Sequence, residues 1–182
     1  MPAATESHSS IDCPEQTNIA RGWSVSAVWR ILAISMLVLG MALTVYVFVR
    51  APGSAYLLPR WELGSRIMLP AVYWLGEWLP SFAHSFAFSA LTALALPPRT
   101  LWIAISCSAW ACVSAAFEAG QYPEYAQRIA LSFPEWMSQV PVLDHVGVYL
   151  LRGTFDLRDL AAGIFGALLA GVMLRRAIRQ VE

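Results

Sequence analysis

Lysine is missing from this 182-residue chain; its twelve basic side chains are all arginines, and twelve acids balance them. A net charge of zero gives no basic field for a nucleic-acid partner. Charged residues make up only 13% of the chain against 58% hydrophobic residues. The mean hydropathy is +0.55, and a soluble protein of this size needs more charge to cover its surface. Cysteine is scarce as well: Cys13, Cys107 and Cys112 form no C-x-x-C pair, and two of them sit in an apolar run where a thiol behaves as a small hydrophobe. This argues against a disulfide framework or a zinc centre. No H-x-x-x-H or comparable ligand spacing occurs, so neither a metal nor a cofactor is expected. The first 27 residues lack the short basic region that opens a secretory signal and are expected to form a polar, disordered tail.

Long apolar runs dominate what is present. Residues 28–49 (VWRILAISMLVLGMALTVYVFV) stop at Arg50 with Ala51-Pro52-Gly53, long enough to cross a core of about 30 Å at roughly 1.5 Å per residue. A second span is expected over about 79–97 and a third over 100–117. Pro97-Pro98 between them predicts an antiparallel hairpin. A fourth is expected over 156–174, with a basic tail from 176 to 182. Residues 51–79 carry Trp61, Tyr73, Trp74 and Trp78 and are expected to hold a loop and an interfacial helix. Trp136 and the stretch from Val140 to Leu151 can likewise form an amphipathic element at the interface. The fold class is therefore an all-α membrane bundle of about four transmembrane helices, spanning residues 28–175.

The positive-inside count ties. Arg21, Arg30, Arg99, Arg175, Arg176 and Arg179 fall on one side, and Arg50, Arg60, Arg66, Arg128, Arg152 and Arg158 on the other. The first set lies tight against helix ends and the second is spread over long loops, which translocate with less regard for charge. Both termini are thus expected in the cytoplasm, with the protein multi-pass in the inner (cytoplasmic) membrane.

Four alternating helices place the start of the second, the end of the third and the start of the fourth at one membrane face. His84, Glu118, Gln121, Asp156 and Asp159 occupy those places. Ionisable groups in a span are costly, about 2.5 to 3.5 kcal/mol for Asp at a helix centre, so they usually face protein or water. Glu118 shares a helical face with Ala115, Ala111, Ser108 and Ala104, and Asp159 heads the row Ala162, Gly163, Gly166 and Ala170. Small residues mark close helix approach, so both carboxylates are expected to point into the bundle. Plainer roles exist for each: Asp156 or Asp159 can cap a helix N-terminus, His84 can be a packing group, and Glu118 can snorkel to water. Ser81, Ser85 and Ser89 have no nucleophile-elbow context and suit interhelical hydrogen bonding. Asp144 and His145, adjacent in a loop, are expected in solvent unless the loop folds back.

At these residues the sequence resembles the VanZ-like family, bacterial membrane proteins named after a teicoplanin-resistance protein. The family places a His in one helix, Glu-x-x-Gln at the end of the next, and an Asp at the head of a Gly-containing last helix. The matching text is FAHSFAFSALTAL, FEAGQ and GTFDLRDLAAGIFGALLAG, covering roughly residues 80 to 171. The family commonly has Tyr where this chain has Phe88 and Asn where it has Gly163; the Arg before its acidic turn is shifted here to Arg152, with Gly153 in its place. The resemblance implies a polar site of His84, Glu118 and Asp159, with Gln121, Asp156, Arg152 and Phe88 as binding residues.

A glycopeptide-resistance-like role follows from that resemblance: binding, and possible modification, of a cell-envelope lipid or lipid-linked precursor at the extracytoplasmic face. A desolvated carboxylate can act there as general acid or base, with His84 as partner. The alternatives are a structural or assembly subunit partnered by other membrane subunits, and a small transporter. Against a proton relay, the far half of the third span offers Ser106, Cys107 and Ser108 and no acid.

Overall fold

The computed structural model describes residues 22–48, 70–140, 143 and 146–179. Residues 1–21 of the expected N-terminal tail, the loop before residue 70, Asp144 with His145, and the last three residues lie outside them; residues 22–27, expected in that tail, are instead ordered, with Val25 opening α1 and Ala27 buried in it. The described elements are all helical: α1 (Val25–Phe48), α2 (Pro70–Leu94), α3 (Thr100–Gly120), α4 (Pro123–Ser132), α5 (Val146–Arg152) and α6 (Leu157–Arg179), with a 3-10 turn at Glu135–Gln139. No strand occurs among the described residues.

Three of these helices, α1, α3 and α6, are long and apolar enough to cross a membrane. Their outward faces carry Leu37, Leu101, Ile105, Phe165 and Leu168, all exposed. Apolar side chains displayed on consecutive turns would aggregate in water and match the acyl chains of a bilayer, the mark of a membrane-embedded protein.

The fourth long helix, α2, is the hub, packing against α1, α3 and α6. Its central position explains its composition. Ala83, Ser85, Phe86, Ala87, Ser89, Ala90 and Ala93 are buried by the surrounding helices, so α2 needs small residues for close packing more than it needs lipophilicity. It begins at Pro70, nine residues before the start expected from the hydropathy of the chain. Proline suits a first helical position because its missing N–H has no intrahelical partner there. Pro80 lies fully buried inside the helix. A single continuous helix therefore runs over 70–94, where the aromatic-rich stretch and the second apolar run read as separate elements.

The helices meet differently at the two ends of the bundle. Near the turn joining α2 to α3, an apolar cluster forms from Ile31 of α1, Phe86, Ala87, Ala90 and Ala93 of α2, Ile103 of α3, and Ala170 and Leu174 of α6. The Trp23 indole N–H donates to the Leu96 carbonyl at 3.0 Å, tying the start of α1 to this end. Trp110 Nε1–H donates to Thr92 Oγ1 at 2.9 Å and braces the α2–α3 hairpin.

Toward the other end, α6 approaches its neighbours through glycine. A Cβ on Gly166 would overlap the backbone carbonyl of Phe82 in α2, and one on Gly163 would overlap the Ser114 hydroxyl of α3 with Ser85 Oγ at 3.2 Å. The inner face of α3 includes Ile103, Ser106 and Glu118, whereas Ser108 is exposed. That face is thus rotated away from the Ala104–Ser108 side, because steps of three and four from Glu118 diverge over four turns.

Candidate functional site

Antiparallel packing of α3 against α6 sets the register of the polar residues. Gly171 lies against Cys107, with a Cβ on it 3.4 Å from the sulfur, and Gly163 lies against Ser114. One turn further along each helix from the Gly163–Ser114 contact come Asp159 and Glu118, on the same faces as those two residues. The two carboxylates therefore occupy one level of the α3–α6 seam. Glu118 is buried, with only 7% of its surface exposed. Asp159 is half-buried, and its Oδ1 is shielded from solvent.

Glu118 also reaches the chain entering α6. The Asp156 backbone N–H donates to Glu118 Oε2 at 3.4 Å, a long hydrogen bond to a carboxyl oxygen. Asp156 precedes the first turn of α6, and its Oδ1 accepts from the Arg158 N–H at 2.8 Å, the geometry of an N-cap. Capping is thus the observed role of this side chain. Asp156→Ala is expected to destabilise the protein by about 1 kcal/mol, and Asp156→Ser to restore most of that loss. Thermal unfolding followed by helical circular dichroism in detergent measures both; an alanine variant as stable as the parent would show the cap to be idle.

Gln121 closes α3, its backbone N–H donating to the Glu118 carbonyl at 3.0 Å. Its buried side chain fills the space over Gly153, where a Cβ would overlap the Gln121 amide. Glu118, Gln121, Gly153 and Asp156 together lock the end of α3 to the linker between α5 and α6.

Two further charged residues join this level. Glu77 of α2 accepts from Arg158 Nη1 of α6 at 3.3 Å, both partly open to solvent. Exposed pairs of this kind contribute about 0–1 kcal/mol, so the bridge orients the rim more than it holds the fold. The sequence signal for Glu77 is present but masked, since an acid among tryptophans reads as part of an interfacial stretch.

His84 occupies a neighbouring layer. Ser85, the next residue, faces Gly163, so His84 lies about three residues deeper than Asp159, roughly 4.5 Å at 1.5 Å per residue. Its half-buried ring stacks between Tyr46 of α1, at a centroid distance of 6.1 Å, and Phe88, at 5.8 Å. Phe88 in turn meets Trp110 at a tilt of 35°, with centroids 4.8 Å apart. Arg152, the last residue of α5, is exposed. The structure thus assembles Glu118, Gln121, Asp156 and Asp159 with Glu77 and Arg158, while His84 and Phe88 form an aromatic array beside them.

Among the described residues, no group of three or more His, Cys, Asp or Glu side chains is arranged to hold a metal ion. No family model, curated protein or solved structure matches this chain. Gly163 and Gly153 leave no room for a side chain, because Ser114 and Gln121 occupy the space. Phe88 stacks on His84 and meets Trp110 at a tilt.

Proposed function

We propose that this chain is a four-span, VanZ-like protein of the inner membrane that binds the headgroup of a cell-envelope lipid or lipid-linked precursor at the extracytoplasmic face. The observation that carries the reading is the shared level of Glu118 and Asp159 at the α3–α6 seam, with Glu77 and Arg158 at its rim. A site with four carboxyl groups, Glu77, Glu118, Asp156 and Asp159, and one guanidinium mainly accepts hydrogen bonds, which favours a headgroup bearing hydroxyl or ammonium groups, a sugar or an amine, over bare phosphate. Its test compares lipid binding by Glu118→Gln and wild type in nanodiscs: equal affinities for sugar- and amine-bearing lipids would remove the site.

The fourth span in this reading is α2. Its 25 residues reach about 37 Å at 1.5 Å each, more than a bilayer core of about 30 Å, and it packs among three apolar helices. Topology reporters discriminate sharply. With four spans, reporters after Gly53 and Arg99 lie on opposite sides, and those after Arg99 and Glu182 share the cytoplasm. With three, the reporters after Gly53 and Arg99 fall on the same side. The four-span pattern is expected, with the reporter after Glu135 outside.

A second reading, a structural or assembly subunit, is favoured by one observation: Glu118, Gln121 and Asp156 all make contacts inside the chain. Under it, polar residues at this end serve the fold, and a partner subunit should co-purify in mild detergent.

A further inference from the structure

Away from the polar end, the described charges are of one sign. The described carboxylates, Glu77, Glu118, Glu124, Glu135, Asp156 and Asp159, all lie at the polar end or on the segment through α4 and the 3-10 turn that leaves it. The opposite end carries Arg30, Arg99, Arg175, Arg176 and Arg179, all exposed, with no acid among the described residues to offset them. Arg30 turns back on its own helix, its Nε donating to the Ser26 carbonyl at 3.3 Å. Three of the others fall on one seam. The α3–α6 register set by Gly171 against Cys107 continues outward: one turn on, Arg175 comes level with Ile103, and two turns on, Arg179 comes level with Arg99. Arg175 also interacts electrostatically with Cys107 of α3, in keeping with its place four residues after Gly171. Arg176 lies about 100° further round α6, off this seam. Among the described residues, Arg99, Arg175 and Arg179 form no ion pair.

Depth and charge together identify the partner. In the turns just inside this end, Leu101 and Ile105 on α3 and Leu168 and Val172 on α6 are exposed, side chains suited to lipid tails. Trp29 is exposed at the same end and Trp102 is half-buried, amphipathic rings that favour the headgroup level. The guanidinium groups therefore stand at the depth of phospholipid phosphates, and each can donate two parallel hydrogen bonds to one. Cations without a carboxylate partner attract a group of net negative charge, whereas a zwitterionic headgroup brings a cation of its own. We infer that the Arg99, Arg175 and Arg179 end of the α3–α6 seam binds the phosphate of an anionic phospholipid in the leaflet at that face. The inference rests on the proposed membrane placement and is independent of any headgroup at Glu118.

Native mass spectrometry of the full chain in mild detergent, titrated with phosphatidic acid or with phosphatidylcholine of the same acyl chains, tests it. Phosphatidic acid offers neither an amine nor a sugar to the carboxylates of the polar end, so failure of that site leaves this measurement unaffected. Topology reporters placing Arg99 and Glu182 on opposite sides would instead remove the shared placement. Phosphatidic acid is expected to bind more tightly than phosphatidylcholine, and Arg175→Gln and Arg179→Gln to weaken it about fivefold each, the value of one cation near an anionic surface. Arg176→Gln, on the same helix but off the seam, should stay close to wild type. All three positions are exposed, and helical circular dichroism checks that the variants fold. Equal affinities for the two lipids overturn the inference. So does a loss with Arg176→Gln as large as with Arg175→Gln, since the attraction is then diffuse and not seated at the seam. Displacement of the lipid by equimolar inorganic phosphate overturns it as well, because the ligand is then a soluble anion.

Discussion

Gly166→Ala is expected to destabilise the bundle by about 3 kcal/mol or more, the upper range for overpacking a close contact. The added methyl meets the Phe82 carbonyl, which belongs to the backbone of the hub helix and has no rotamer to change. Relief requires α6 and α2 to separate along their main contact, loosening the Phe82–Phe86 and Phe82–Phe165 ring pairs as well. Gly163→Ala should be milder, because the Ser114 hydroxyl can rotate away, although the Ser114 Cβ at 3.0 Å cannot. Gly171→Ala meets only an ordinary contact with the Cys107 sulfur. Gly40 has nothing within 4 Å, so alanine there should stabilise α1 by about 0.5–1 kcal/mol through helix propensity. The measurement is reversible unfolding in mixed micelles with increasing dodecyl sulfate, and the informative result is the order. If Gly166→Ala and Gly40→Ala unfold at the same detergent fraction, α6 does not lie against α2 as described.

The same glycines show how far residues alone carry the fold. The small-residue row headed by Asp159 is visible as a spacing of three and four, and it is the row that α6 presents to α2 and α3: Gly163, Gly166 and Ala170 are buried. The helical class and the three most apolar helices are also legible, since helices of 24, 21 and 23 residues with few charges are long and apolar enough to span a bilayer. The start of α2 is not. Pro70, Pro80, Glu77 and the tryptophans lower the local hydropathy for a reason that exists only in three dimensions: a helix ringed by three others needs little lipophilicity of its own. The earlier start relocates His84. Counted from an expected start near residue 79 it lies one turn into a span, level with the acids; counted from Pro70 it lies mid-helix, one layer deeper, among aromatic rings. Glu118 and Asp159 are easier to place, because both sit close to helix ends whose positions are marked by the Glu-x-x-Gln and Asp-containing turns. The contact of Gln121 with Gly153 joins residues 32 apart in sequence, and no periodicity announces it.

Glu118 is where the two readings of the polar end separate most widely. Glu118→Ala removes the acceptor for the Asp156 N–H and opens a hole in a buried site, an expected loss of about 2–3 kcal/mol. Glu118→Gln keeps the length of the side chain and one carbonyl acceptor but replaces the other carboxyl oxygen with an amide nitrogen, so about 1 kcal/mol is expected. If the site binds a hydroxyl- or amine-bearing headgroup, the charge itself is used, and glutamine should weaken lipid affinity about tenfold, the equivalent of 1.4 kcal/mol, with the protein still folded and abundant. An envelope phenotype should then be lost as completely with glutamine as with alanine. If Glu118 serves only to lock α3 to the linker before α6, function follows stability instead: glutamine stays close to wild type, and alanine is impaired in proportion to its lower abundance. Measuring abundance, unfolding and lipid affinity on the same two variants assigns the carboxylate, because stability ranks them glutamine above alanine under either reading, whereas equal loss of binding arises only when the negative charge meets a ligand.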